Sequence, residues 1–465
     1  MPGADSCVLD QTIDHPGSAY TLESMRISRI LNLLFTCLLL GAVWVVASQQ
    51  LRLADQIGNT LSGSADAGSE CAAINSGMHY YKRGFLSYAG LPDLAYPKDK
   101  LYVDPKDEPT NIQIYTHYPP GPNWLVGVGI HLCGPNNFPC YRRMPIFFTS
   151  FSLIVSYIIV AAVVGFAWSS ILFIGLLQIP MTSAMMHGLH YQGYALALIV
   201  LQMAFAWYVL ATRKMVLKWH LATLFLLSFL QGWLSFDYFF IATLFPLPIA
   251  FLCHPMPSVR NMILTTVASL AGFTSAIALH FCQVAIYAAS KTPDGLWNVS
   301  LSALPAGFEG AYQDFFRAAV ARSSGVENQI TPIGFVLRIL ERYLTELLPS
   351  ESQGGQVGVW LLGAALGGAM VFLLGTYLFK ASHSSMRKGL QPLFSLLLAL
   401  CISLLWVVIM RNHALDGTHL TFLPRHFIVL LWVSGALLVS GGHNLVVLIA
   451  AYVRRIVGRR KAAAQ

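Results

Sequence analysis

Between Arg29 and Arg52 the chain carries no charged residue. The apolar part of that stretch, Ile30 to Ala47, at about 1.5 Å per helical residue, is long enough to cross a hydrocarbon core of about 30 Å. Runs of the same kind recur near 146–167, 170–186, 193–212, 219–234, 238–253, 262–286, 356–379, 389–410 and 427–452. In hydrocarbon every backbone polar group must be satisfied internally, and segments of this length do that as helices. The expected fold class is therefore an all-α polytopic membrane protein with about 10 transmembrane helices. Charged residues are 11% of the chain, against about 25% in soluble proteins.

The charges set the topology. Arg26 and Arg29 precede the first run and place the N-terminus inside. The segments then assigned to the inside hold Arg213, Lys214, Lys218, Arg260, Lys380, Arg387, Lys388 and the basic tail, without an acid. All 17 acids beyond residue 25 (21 less Asp5, Asp10, Asp14 and Glu23) fall outside, which is consistent, although Lys and Arg are the stronger determinants. The expected organisation is a disordered cytoplasmic tail, 1–25, and a transmembrane module, 26–286, with a large outer loop at 49–144. An outer amphipathic segment, 287–355, the last helices, 356–453, and a basic tail, 454–465, complete it. Within the first loop, Leu51 to Leu61 and Ala72 to Phe85 pattern as helices, whereas Pro92 to Pro109 reads as irregular chain. The spans near 146–186 lack a charged turn, and Trp168-Ser169-Ser170 is the turn expected there.

Several function classes drop out. The net charge of +8 comes from short clusters between apolar runs, so nucleic acid is not an expected partner. Eight cysteines without Cys-x-x-Cys spacing make neither a disulfide-built fold nor a zinc site. Cys133 and Cys140 alone look like a pair, either a disulfide in an oxidising compartment or two thiols. The first run follows a polar stretch and reads as a signal anchor. No internal repeat is visible, which disfavours inverted-repeat transporters.

The chemistry-bearing residues gather at the outer ends. Asp237 lies at a turn between two short apolar runs, where an ionisable group is a functional candidate or a carboxylate hydrated at the surface. Glu70 follows a flexible Gly/Ser/Ala run without helical neighbours of opposite charge, and by itself reads as a solvated loop acid. His117 sits in Tyr115-Thr116-His117-Tyr118-Pro119-Pro120-Gly121, whose prolines fix the backbone before glycine releases it. That makes a rigid ledge at the membrane surface, for a sugar or phosphate or for a purely structural re-entry. Between the last two runs, Arg411, His413, Asp416, His419, Arg425 and His426 offer guanidinium groups suited to phosphate, or snorkelling arginines at helix ends. Trp124, Tyr141 and Trp360 read as interface-belt aromatics, and Asn298-Val299-Ser300 is a formal glycosylation sequon.

One span, a long outer loop with an acid near its start, Gly84-Phe85-Leu86, the His-Tyr-Pro-Pro element at 117–120 and closely spaced helices resemble the GT-C superfamily of membrane glycosyltransferases. That superfamily includes protein O-mannosyltransferases and lipid A aminoarabinose transferases. The resemblance covers the first third of the chain well and the rest through hydropathy. It implies inverting transfer of a hexosyl or pentosyl group from a polyprenyl-phosphate donor to a glycan, lipid or protein acceptor, in a bacterial inner membrane with a periplasmic site. It makes Glu70 the expected general base, with Asp66 and Asp55 as fallbacks and Asp237 as a further catalytic candidate. The expected substrate-binding residues are His79, Lys82, Arg83, Tyr115, His117 and Tyr118 in the first loop. His190, Arg411, His413, Arg425 and His426 join them from later loops. No cofactor is certain; magnesium or manganese could assist, although no carboxylate pair at metal-ligand spacing argues for it. Two rivals remain. A transporter or flippase for a lipid or anionic solute would use Asp237 and His443, and a polysaccharide ligase or polymerase would use a lipid-diphosphate donor and the late outer loop.

Overall fold

A computed structural model describes residues 18–61, 67–93, 113–116, 118–177, 186–189, 192–213, 215–253, 256–313, 383–409 and 428–463. Asp66, His117, His190, Trp360 and the cluster from Arg411 to His426 lie outside the described residues, as does the side chain of His443. So do the span expected near 356–379 and most of the second outer segment.

The described helices are α1 (Ser18–Ile57), α2 (Ala67–Arg83), α3 (Gly121–Cys133), α4 (Phe138–Val164), α5 (Phe166–Leu177), α6 (Gln192–Thr212) and α7 (Lys218–Leu234). They continue as α8 (Phe239–Leu244), α9 (Pro246–Leu252), α10 (Val259–Ser290), α11 (His383–Ile409) and α12 (Ile428–Ala463). No strand occurs among the described residues beyond an isolated bridge between Asp93 and Ile114. The chain is an all-α polytopic membrane protein. Four of these helices are long and apolar enough to cross a membrane: Arg29–Ile57, Phe138–Val164, Gly193–Thr212 and Val259–Ser290.

Several element boundaries differ from expectation. The first helix starts at Ser18, inside the tail read as disordered, and runs unbroken to Ile57, absorbing most of the helix expected at Leu51 to Leu61. The turn after α4 falls at Gly165, not at Trp168-Ser169-Ser170, which is helical. Gly165 has φ +85°, a conformation glycine adopts without Cβ strain, and so ends α4. The span expected at 238–253 is broken into α8 and α9, because Pro246 and Pro248 lack the N–H groups a continuous helix would need.

Leu39, Tyr157, Phe173, Trp207, Phe245 and Trp432 belong to the main apolar core, shared by α1 and α4 to α12. The opposite faces of the same helices expose Leu33, Phe151, Ile158, Val259 and Val267, a lipid-facing pattern. Helices α7 and α10 approach closely at glycines: a Cβ on Gly272 would meet the Phe225 carbonyl, and one on Gly232 would meet Ala276 and Phe273. In lipid, where the hydrophobic effect does not bring helices together, such close backbone packing does.

The two ends of the bundle differ. At one end the C-termini of α1, α7 and α10 meet the N-termini of α4 and α6, and α2 and α3 sit over them. At the other lie Arg213, Lys218 and Arg260, next to the ends of α6, α7 and α10. Gln391 of α11 reaches Met256 there, at 3.7 Å.

Candidate active site

Glu70 lies in the first turn of α2, a position that favours an acid beside the free N–H groups of the helix. It is 1% exposed, and its partner comes from α4. Arg142, fully buried, donates from one guanidinium nitrogen to Glu70 Oε1 (3.1 Å) and to the Thr60 carbonyl (2.8 Å), and from the other to the Gly58 carbonyl (2.9 Å). One side chain thus ties the chain beyond α1 to the start of α2. The Leu189 N–H approaches the same carboxylate oxygen at 3.5 Å. The solvated loop acid expected from the sequence is therefore a buried helical ion pair. Arg142, which the sequence does not single out, belongs to this cluster, whereas its neighbour Arg143 makes an exposed pair with Asp55 (3.2 Å).

His187 joins this cluster, its Nδ1 donating to Gln50 Oε1 at 2.7 Å. Burial, reinforced by the Arg142 guanidinium, pushes its pKa below the ordinary 6.5, with Glu70 acting in the opposite sense.

The ledge at 115–121 is held from three sides. Tyr115 N–H donates to the Pro92 carbonyl (2.8 Å), and His280 of α10 donates from Nε2 to the Thr116 carbonyl (2.9 Å). Tyr118 donates to Asp237 Oδ1 (3.3 Å) and stacks on Tyr115 with ring centroids 6.1 Å apart. Asp237, 4% exposed, occupies a 3₁₀ turn, Phe236–Tyr238, its N–H bound by Ser235 Oγ. Gly121 opens α3 directly under Trp233, whose carbonyl leaves no room for a Cβ. Asp237 is thus an anchor of the ledge. Of the aromatics expected in the interface belt, Tyr141 packs inside, its hydroxyl donating to the Gly134 carbonyl, and Trp124 is half-buried, its indole donating to the Gly90 carbonyl.

A third network lies about two and a half turns further along α2. His79 Nδ1 is 3.3 Å from Asp93 Oδ2, and both side chains are buried. The other oxygen of Asp93 accepts from the Gln113 N–H (2.9 Å), and its carbonyl accepts from Ser76 Oγ (3.0 Å). Above His79 a 3₁₀ turn, Ser87–Gly90, holds Tyr88 and Ala89 at positive φ. Burial raises the pKa values of Tyr80 and Tyr88, so both stay neutral at physiological pH, with Arg83 acting against burial at Tyr88. Lys82 and Arg83 end α2, half-buried and exposed.

The structure therefore joins Glu70 to α4 and Asp237 to Tyr118, and it adds Arg142 and Asp93, which sequence reasoning missed. Asp93 sits in the Pro- and Asp-rich stretch that reads as irregular chain, and no local pattern marks it. The Cys133–Cys140 disulfide is formed and closes the turn between α3 and α4 just before Arg142. Among the described residues no group of three His, Cys, Asp or Glu side chains could hold a metal ion.

No known family profile matches the chain, and neither does any curated protein. Among solved structures it is similar to the oligosaccharyltransferase of Archaeoglobus fulgidus in the apo form, at 13% identity over 90% of this chain and 52% of that one, with a TM-score of 0.42. It is also similar to ArnT from Cupriavidus metallidurans in the apo state, at 12% identity over 87% of this chain and 77% of that one, with a TM-score of 0.34. The chain spans about half the length of the oligosaccharyltransferase. Likeness at this level carries no inference about activity.

Proposed function

We propose that the protein is a membrane glycosyltransferase that moves a sugar from a polyprenyl-phosphate carrier to an acceptor on the outer face of a bacterial inner membrane. Glu70 is the general base. The acceptor oxygen attacks C1 of the sugar, the bond from C1 to the phosphate oxygen breaks, and the acceptor proton passes to the Glu70 carboxylate. The lipid phosphate leaves as an anion and needs positive charge rather than a proton. Arg411 and Arg425 of the last outer loop supply it, with Lys82 and Arg83 at the end of α2 as the alternatives. The ledge at 115–121, fixed by Asp237 and His280, forms the floor against which the sugar is held.

The observation that carries this reading is the buried pair of Glu70 and Arg142. Taking two charges out of water costs several kcal/mol per ion, and well-packed apolar residues often serve stability as well. A pair kept at that cost where α2 begins is a site candidate.

The test is sugar transfer by the purified protein from a panel of polyprenyl-phosphate sugars, with crude membrane extract as acceptor. Glu70→Gln keeps an oxygen for Arg142 but cannot take a proton. Its turnover should fall by about 10²–10⁴-fold in protein that still folds, with thermal stability lowered because the buried Arg142 guanidinium loses its counter-charge. Full activity in Glu70→Gln would leave the pair a purely structural one and move the base elsewhere.

A further inference from the structure

His79 is 6% exposed, and its Nε2 is buried without a hydrogen-bond partner among the described residues. A buried polar nitrogen left unpaired is costly, and such an atom is a place to look for a ligand. The other ring nitrogen is committed, because Asp93 can only accept there while it is ionised. Asp93 itself is fixed by Gln113 and through its carbonyl by Ser76, so the ring cannot turn without breaking that network.

The surroundings of Nε2 are arranged at a cost. Tyr88 and Ala89 follow one another in the left-handed region, at φ +52° and +58°, which non-glycine residues rarely adopt. The turn is held there by Gln283 on the Ala89 carbonyl, by Tyr80 and Trp124 on the Gly90 carbonyl, and by the Tyr88 N–H on the Pro293 carbonyl. It sets the Tyr88 ring 5.6 Å from the imidazole. Lys82 and Arg83 stand three and four residues after His79, on the same face of α2, and Arg83 lies beside the Tyr88 hydroxyl. The groups facing the ring are thus one carboxylate, Asp93; two neutral phenols, Tyr80 and Tyr88; and two cations, Lys82 and Arg83. Tyr287 of α10 packs behind Tyr88.

We propose that His79, oriented by Asp93, binds a phosphate group through Nε2, and that phosphate binding draws a proton onto the ring. Since Nδ1 already donates to Asp93, a neutral ring presents only a lone pair at Nε2, which repels a phosphate oxygen. A donor at Nε2 requires the imidazolium, so the phosphate and one proton bind together. Arg83 and Lys82 complete the anion site, and a ligand reaches Nε2 by shifting the Tyr88 ring. Asp93 is a positioning residue here, acting through His79. This deepens the glycosyltransferase reading and rests on it for the source of the phosphate, the lipid monophosphate end of the donor.

The experiment is calorimetric titration of the full-length protein in phosphatidylcholine nanodiscs at pH 7.5 with a sugar-free polyprenyl monophosphate. Inorganic phosphate is run as the second arm. Repeating each titration in two buffers of different ionisation enthalpy counts the protons taken up. The expected result is uptake of about one proton per lipid phosphate, and an affinity that weakens by about tenfold per pH unit as pH rises. His79→Gln should weaken binding tenfold or more and abolish the uptake, and Asp93→Asn should abolish the uptake with the protein still folded. Equal binding of inorganic phosphate would keep the site and reassign its ligand to a free anion. Unchanged binding by His79→Gln, or no proton uptake by the unmodified protein, would overturn the proposal. Should His79→Gln fail to fold, Arg83→Ala at its exposed position takes its place, with a tenfold loss expected and an unchanged affinity counting against the site. Because the probe carries no sugar, proton-coupled binding here, together with no turnover in the separate transfer assay with polyprenyl-phosphate sugars, would sink the transferase reading and leave this site standing.

Discussion

Arg142 has no water to turn to, and its three hydrogen bonds go to the two carbonyls beyond α1 and to Glu70. Arg142→Met should therefore destabilise the protein by about 3–5 kcal/mol, because the buried carboxylate loses its counter-charge. Adding Glu70→Gln to Arg142→Met should restore part of that loss, and thermal unfolding in detergent would measure both. Equal stability of the single and double variants would mean that the two residues do not act as a pair. His187 adds a pH dependence. Its folded pKa lies below the ordinary 6.5, so folding releases a proton whenever the unfolded chain would hold one. Its contribution to stability is complete above pH 6.5 and is lost as pH falls toward the folded value. His187→Gln, tested by melting at pH 7.5 and 5.5, should melt with a smaller drop at the lower pH. At this scale the sequence told least: Glu70 and Arg142 are 72 positions apart, and nothing local to either announces the other. Arg142 and Arg143 are the same residue type side by side, yet one is fully buried and the other half exposed, a difference made by which face of α4 meets the chain beyond α1.

Helices were far more legible, because length and unbroken apolarity are enough to identify a span. The elements near 30–47, 146–167, 193–212, 219–234 and 262–286 stand where the hydropathy puts them. The misread ones share a cause: a backbone event that side-chain hydropathy does not register. Gly165 turns the chain three residues before the expected place, and Pro246 and Pro248 divide a run that is apolar throughout. The pairing of α7 with α10 was equally invisible, since Gly232 and Gly272 matter for the volume they lack. Gly272→Val would force the Phe225 backbone away. It should cost about 1–3 kcal/mol by overpacking and lower the yield of folded protein, whereas Gly175→Ala, where a Cβ meets nothing, should behave as the unmodified chain. Size-exclusion profiles of the two variants would separate these outcomes.

For the whole molecule, the separation of basic and acidic ends predicts sidedness. A single cysteine introduced at Arg387 of α11, near the Met256 end, should react with a membrane-impermeant thiol reagent only from the cytoplasmic side. Reaction from outside would invert the arrangement. Helix α10 joins the two ends and has 32 residues, about 48 Å at 1.5 Å per residue, more than a hydrocarbon core of about 30 Å requires. From Arg260 at its basic end to His280, which holds the ledge, the rise is about 30 Å. The ledge is thus mounted on a rigid post at a height close to one core thickness. The protein carries a built-in gauge of its bilayer: in short-chain lipids the ledge stands clear of the headgroups, and in long-chain lipids it is submerged. On the proposed function, sugar transfer measured across phosphatidylcholines of graded acyl length should then peak at intermediate thickness, so the membrane a cell makes would itself set how high the ledge stands above its lipids.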